Sequence, residues 1–332
     1  MVPSPHVLSL IARLFFFAAL LLACALSRAA TAQSGLTDVS FAIIGHSSGE
    51  WPLYIAQQQG FFRQEGLNVS VVLGGTPPNT VNLFASGDVN IVNIGTDSCI
   101  AAIAHQIPMK LVSTMFVPMP YRLMTSPSIT TWSQLKGKTI ILATKKDVTA
   151  IFLRKVAAAQ HLDMERDFSI VLGGTSPVRY TALVSGNVQG AVISQPYDLQ
   201  AEAGGMHVLA QAAGTIKSWL FAGIGVNPSW GAAHRAEVVK FIRALRKATD
   251  YGYTHPQEAV AILQNVTHVD QTIAQKAYAL DFNQWHAFSR TMQINPKDVQ
   301  AVMDAVVDIG TIPAPLPVAD MIDPSYAVEA AR

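Results

Sequence analysis

The sequence predicts an α/β protein of two duplicated, parallel-sheet lobes facing one another across a cleft, followed by a helical C-terminal section. Three observations predict it. The run Val72-Leu-Gly-Gly-Thr-Pro-Pro78 returns, shifted by 99 positions, as Val171-Leu-Gly-Gly-Thr-Ser-Pro177. At the same shift Ser86-Gly-Asp-Val89 meets Ser185-Gly-Asn-Val188 without a gap. Each copy alternates near-continuous apolar runs with helical segments, the pattern of sheets covered on both faces. The chain has 332 residues, 50% hydrophobic and 14% charged, which is enough for two lobes and excludes disorder as the main state.

Taken in order, Arg13, the apolar run Leu14–Leu26 and the small residues Ala30-Thr31-Ala32 predict a secretory signal over residues 1–32, with Gln33 beginning the mature chain. Two alternatives are a retained membrane anchor and a lipidated Cys24. Removing Arg13 and Arg28 turns the net charge of +1 into −1, so steering by net charge is weak. Cys99 is then the sole cysteine, expected as a small buried thiol in a protein without a disulfide. The first copy predicts strands at Val39–Ile44, Val69–Leu73 and Val89–Ile94, with helices at Pro52–Gly60 and Asn79–Ser86. The second predicts strands at Thr139–Ala143, Ser169–Leu172 and Gly190–Ile193, with helices at Val148–His161 and Val178–Ser185. Gly87 and Gly186 stand where helices end in a left-handed residue. Trp219–Val226 reads as a strand returning to the first lobe, so lobe 1 comprises 33–122 plus 218–332 and lobe 2 comprises 123–217. Ala233–Tyr251, Pro256–Gln264, Asp270–Ser289 and Pro296–Ile309 have helical spacing, and the proline-bearing tail from Ile312 wraps over the surface.

Lys plus Arg number 23 against 22 Asp plus Glu, with no basic run longer than two residues, which argues against a nucleic-acid partner. Beyond the N-terminal block no apolar stretch reaches bilayer length. No His, Cys or Asp pair has metal-site spacing, so no metal or cofactor is expected.

Specific motifs carry a family resemblance. Pro52-Leu-Tyr-Ile-Ala-Gln-Gln-Gln-Gly-Phe-Phe-Arg-Gln-Glu-Gly-Leu-Asn-Val69, Leu135-Lys-Gly-Lys138 and Gln195-Pro-Tyr197 resemble the periplasmic substrate-binding proteins of ABC importers. The branch is the one that includes nitrate, sulfonate, taurine and thiamine-precursor pyrimidine binders. The resemblance implies a two-lobed periplasmic-binding-protein fold of type II, a periplasmic location, a small-molecule solute, and an inner-membrane ABC permease and ATPase as partners to a monomer. Members usually carry Asp where this chain has Asn90 and Gln189, positions read as structural. The loop Thr144-Lys-Lys-Asp147 also departs from the usual small polar pattern.

Ligands of open α/β sheets gather at the carboxyl ends of strands. The first lobe then offers Ser47, Ser48, Glu50, Trp51, Gly75, Thr76, Thr96 and Asp97, and the second Lys145, Asp147, Thr149, Thr175, Gln195 and Tyr197. Helix starts and Lys145, or Lys146, favour an anion. Trp51 and Tyr197 are candidates to stack on a flat solute, or else belong to the lobe cores. Glu50 and Asp97 point toward a donor-rich ligand, or simply cap helices, as Thr76 and Thr175 do in the symmetric reading. His46 is expected as a polar tip at the rim. The expected function is capture of a small organic anion, a sulfonate or carboxylate for which an aromatic body would satisfy both sets of candidates, without catalysis. The alternative is an enzyme or precursor-binding protein of thiamine-pyrimidine metabolism on the same fold.

Overall fold

The two half-repeats fold as two five-stranded sheets with one shared strand order. The computed structural model describes residues 35–332 apart from Gly214 and Lys217. The expected signal peptide, Met1–Ala32, and the alternatives at Cys24 lie outside the described residues. In chain order the strands are β1 (Thr37–Ile43), β2 (Leu67–Leu73), β3 (Ile91–Gly95), β4 (Lys110–Ser113) and β5 (Tyr121–Thr125). They continue as β6 (Thr139–Leu142), β7 (Ser169–Leu172), β8 (Gly190–Ser194), β9 (His207–Gln211) and β10 (Ala222–Val226). One sheet runs β2-β1-β3-β10-β4 and the other β7-β6-β8-β5-β9.

The duplication extends to register. Phe41 faces Ile91 in the first sheet, and their counterparts 99 positions on, Ile140 and Gly190, face each other in the second. The loop after each outer strand is anchored alike, by Gly74 N–H donating to Ile43 (2.9 Å) and Gly173 N–H donating to Leu142 (2.8 Å). Asn90 and Gln189 occupy one structural role: each backbone N–H donates to the neighbouring strand, at Ser40 and Thr139, and each side-chain oxygen accepts in return. The departures from the family's Asp are thus tolerated because an amide oxygen makes the same bond.

The sheets are mixed rather than wholly parallel. Next to β3, β10 runs antiparallel, and next to β8, β5 does. A helical crossover returns a chain parallel to the strand it left, whereas β5 and β10 each arrive from the other lobe without an intervening helix. Apolar runs carry no sign of strand direction, and the short β4 and β9 escape the pattern for lack of length. The chain passes between lobes along 114–120 and again along 218–222, and these segments lie side by side: Phe221 N–H donates to Val117 (2.8 Å) and Thr114 Oγ1 to Ala222 (2.8 Å).

Helices Trp51–Gln58, Arg235–Thr254 and Pro256–Thr267 pack on the first sheet around Phe41, Phe241 and Phe282. The expected helix Asp270–Ser289 is shorter, Gln271–Tyr278, and continues as a π-helical turn, Ala279–Gln284. Helix Pro296–Asp308 bridges the lobes, placing Val299 beside Val92 and Cys99, and Val302 and Met303 in the cluster around Phe152. Cys99 is buried and free, and burial pushes its thiol up, as expected of a packing residue. Gly87 and Gly186 adopt φ of +82° and +78°. Both lobes belong to one unit, Asp38–Arg332. No helix among the described residues is long and apolar enough to cross a membrane.

Candidate functional site

The carboxyl ends of the strands meet between the lobes around a partly open cavity of about 80 Å³. The two Gly-Gly-Thr loops face each other there. A Cβ on Gly174 would stand 3.1 Å from the Gly75 carbonyl, and one on Gly45 would stand 2.9 Å from the Thr175 methyl. Gly45 and Gly174 therefore allow the lobes to approach this closely.

Of the residues named from sequence, Ser47, Glu50, Asp97, Asp147 and Thr175 line this cavity. Glu50 makes no capping bond to the helix it precedes. Instead both its oxygens accept from Asn93 Nδ2, at 3.0 and 3.1 Å, and burial pushes its carboxyl up to about 8. Asp97 accepts from Val148 N–H across the lobes at 3.0 Å. Burial, then the neighbouring Asp147, raises its carboxyl to about 7. Asp147 caps helix Val148–Ala158 through Thr149 N–H (3.0 Å) and Ala150 N–H (3.3 Å), and burial raises it too. Asp97 and Asp147 also line an outer groove of about 470 Å³ and stand between it and the cavity.

The other named residues lie elsewhere. Trp51 is fully buried in the first lobe, its indole N–H donating to Ala259 (2.7 Å) and its ring edge-on to Phe282. Tyr197 packs with Leu183 and Ile193 in the second lobe and tilts against Tyr180, so neither aromatic reaches the cavity. Lys145 is exposed at the rim with its carbonyl accepting from Arg154, and Lys146 Nζ donates to Gly310 (3.0 Å). A four-carbon ammonium stem at a loop tip stays hydrated there, and neither lysine lines the cavity. Thr76 caps the helix after it through Asn79 N–H (3.3 Å), with Gly75 beside it at φ +75°. Thr175 makes no such bond, so the two threonines are not equivalent. Thr149 bonds Asp147 and Ala143, and Thr96 is buried, its N–H donating to Phe221. Ser48 and Gln195 form an interlobe contact behind the cavity, Ser48 N–H donating to the Gln195 carbonyl (3.1 Å). With its amide nitrogen turned inward, Gln195 reaches both oxygens of buried Asp281, at 3.0 and 3.1 Å. His46 lines the cavity, half buried, and burial lowers its pKa.

Sequence reasoning missed Arg179, Asn93, Tyr121 and Phe221, which line the cavity together with Ser176 and Ser194 from the expected loops Gly173–Pro177 and Ser194–Tyr197. Arg179 is 2% exposed. Its Nε donates to Val192 (2.6 Å), its Nη1 to Gly174 and its Nη2 to Ser176 Oγ (3.0 Å). None of the ion pairs among the described residues includes it. The Tyr121 ring lies 6.0 Å from its guanidinium carbon, and burial lowers its pKa from the usual value. The sequence did hold a signal for both polar residues, in the asymmetry of the copies. Arg179 replaces Thr80, and Asn93 replaces Val192, at the shift of 99. No group of three His, Cys, Asp or Glu side chains arranged to hold a metal occurs among the described residues.

Residues 49–259 match the family described as NMT1/THI5 like. A curated protein of Bacillus subtilis (strain 168) named "Putative binding protein YtlA" is 22% identical over 302 residues, which is 89% of this chain and 90% of that one. Among solved structures, the alkanesulfonate-binding protein SsuA from Xanthomonas axonopodis pv. citri, bound to MOPS, matches with TM-score 0.70 and 17% identity, covering 87% of this chain and 98% of its own. The desulfurization enzyme DszB matches with TM-score 0.65 and 12% identity over 89% and 98%. At these identities the structural likenesses show the two-lobed α/β fold.

Proposed function

The chain belongs to the NMT1/THI5-like family, and on that premise we propose that it is an exported, periplasmic solute-binding protein. It captures a small organic acid between its lobes and delivers it to an inner-membrane ABC permease and ATPase. Arg179 is the observation that supports the acid: a guanidinium 2% exposed, on the cavity wall, within ion-pair distance of no described carboxylate and felt by Asp147 only at longer range. Burying a cation is costly unless an opposite charge meets it, and a carboxylate or sulfonate of the solute supplies that charge. The start of the helix Ser176–Val184 lies on the same wall and adds backbone donors. Tyr121 and Phe221 give this wall its apolar part, in place of the expected Trp51 and Tyr197.

Isothermal titration with short carboxylates and alkanesulfonates tests the reading. The parent binds, and Arg179→Gln, checked for folding by its thermal transition, loses about 2–5 kcal/mol of affinity. Equal binding by the two proteins refutes the assignment. Because DszB shares the fold, binding is separated from catalysis by recovering the bound solute and weighing it. A solute recovered with altered mass favours an enzyme.

A further inference from the structure

Arg179 is held closely by its own lobe, and that limits how it can hold a solute. A guanidinium carries five N–H donors and grips an acid best through a parallel pair, Nε with Nη2 or Nη1 with Nη2. Here Nε donates to the Val192 carbonyl (2.6 Å), and Nη1 donates to the carbonyls of Gly174 and, at 3.5 Å, Gly173, so each pair has lost a member. Nη2 gives one hydrogen to Ser176 Oγ (3.0 Å) and keeps the other. A carboxylate or sulfonate that meets Arg179 therefore has one oxygen engaged and another in want of a donor.

Counting lone pairs orients the hydroxyls beside it. Ser176 Oγ accepts from Arg179 Nη2 and from the Ser194 N–H (3.1 Å), which occupies both of its lone pairs. Its own hydrogen then goes to Ser194 Oγ, 2.8 Å away. Ser194 Oγ is thus the acceptor of that bond, and its hydrogen has no acceptor among the described residues, although Ser194 is 7% exposed and lines the cavity. The duplicated architecture does not require the arrangement. At the shift of 99 the counterparts of Ser176, Arg179 and Ser194 are Pro77, Thr80 and Gly95, which cannot form it.

We propose that Ser194 is the second donor to the acid, which bridges Arg179 Nη2 and Ser194 Oγ with one oxygen on each. The proposal rests on the Arg179 reading and deepens it, replacing a two-pronged guanidinium grip by one guanidinium N–H and one hydroxyl. Both donor atoms are bonded to Ser176 Oγ, at 3.0 and 2.8 Å, and so stand no more than about 6 Å apart, a gap that two oxygens of one acid group span. The guanidinium charge polarises Ser176, and Ser176 in turn polarises Ser194, which strengthens the hydroxyl as a donor to an anion.

Acetate, propionate and methanesulfonate are titrated calorimetrically into the parent, Ser194→Ala, Ser194→Cys and Arg179→Gln, each checked for folding by its thermal transition. Loss of a hydrogen bond to a charged group weakens all three acids at least about tenfold in Ser194→Ala. Ser194→Cys fills the space of the hydroxyl with a weak donor and binds as poorly as Ser194→Ala. If Ser194→Ala binds within threefold of the parent, or Ser194→Cys matches the parent, the hydroxyl is not the donor and the proposal is overturned. In either case a loss in Arg179→Gln leaves the Arg179 reading standing. If none of the three acids binds the parent at millimolar concentration, both are overturned.

Discussion

Alkaline pH loosens the empty protein, and Glu50→Gln removes a measurable part of that loosening. The Glu50 carboxyl moves from 4.5, its ordinary value, to about 8 in the folded chain. Between those values the folded protein keeps a proton that the unfolded chain has released, so stability falls as pH rises. The contribution is fully present below about 4.5, is lost progressively up to about 8, and stays lost above it. A shift of that size corresponds to about 5 kcal/mol if the cavity stays shut. The lobes have a cheaper escape, because opening lets water reach Glu50. Opening breaks the interlobe bonds from Val148 N–H to Asp97 (3.0 Å) and from Ser48 N–H to Gln195 (3.1 Å). At about 0.5–1.5 kcal/mol for the neutral bond and about 1.5–3 for the charged one, the loss saturates near 2–4.5 kcal/mol. Asp97, raised from 3.8 to about 7, and the buried Asp198 and Asp281, raised to about 7 and about 8, act in the same direction. Guanidinium unfolding at intervals from about pH 5 to about pH 9, with the radius of gyration followed by X-ray scattering, measures stability and opening together. The parent loses about 2–4.5 kcal/mol and expands, and Glu50→Gln lowers the slope by roughly a quarter, because three further buried carboxyls are raised in the same window. Stability that rises with pH across this window, or an unchanged slope in the variant, refutes the reasoning.

Three further outcomes follow from the same geometry. Trp51→Phe leaves the Ala259 carbonyl without its indole donor and costs about 1–3 kcal/mol in denaturant unfolding, with solute affinity unchanged. Thr76→Ala removes a helix cap and lowers stability by about 0.5–2 kcal/mol, while Thr175→Ala stays within about 0.5 kcal/mol by the same measurement and alters solute affinity instead. Lys145→Ala changes both stability and calorimetric affinity negligibly, because its ammonium stands in water at the rim.

The fold was legible because a duplicated sequence carries its own alignment. Once Gly74 is matched to Gly173, the partners Phe41 and Ile91 dictate Ile140 and Gly190. Strand direction was not legible, since a buried strand has the same apolar run whichever way it points. Half of the site was read from the loops: Glu50, Asp97 and Asp147 stand at strand ends, where position alone suggests a cavity. Trp51 was misplaced because nothing local reveals a carbonyl 208 residues away waiting for its indole. Arg179 was missed because its surroundings read as an ordinary exposed helix start. Only its disagreement with Thr80 in the other copy marks it, and divergence between duplicated halves proves a better guide to the cavity than residue type.

The exchange of β5 and β10 governs how the molecule comes into being. The first sheet cannot be completed from its own stretch of the chain: it has an empty slot between β3 and β4 until Ala222–Val226 has been synthesised. Until then β3 and β4 present unpaired edges, a state prone to pairing with other chains. The second sheet, by contrast, is contiguous from Tyr121 to Gln211 and can close first. Assembly therefore runs from the middle of the chain outward, with the N-terminal sheet waiting on distant partners whose loop closure is entropically slow. A protein cut between its lobes yields one half that has lost a central strand and another that keeps all five of its own, so the two lobes are not interchangeable as independent folding units.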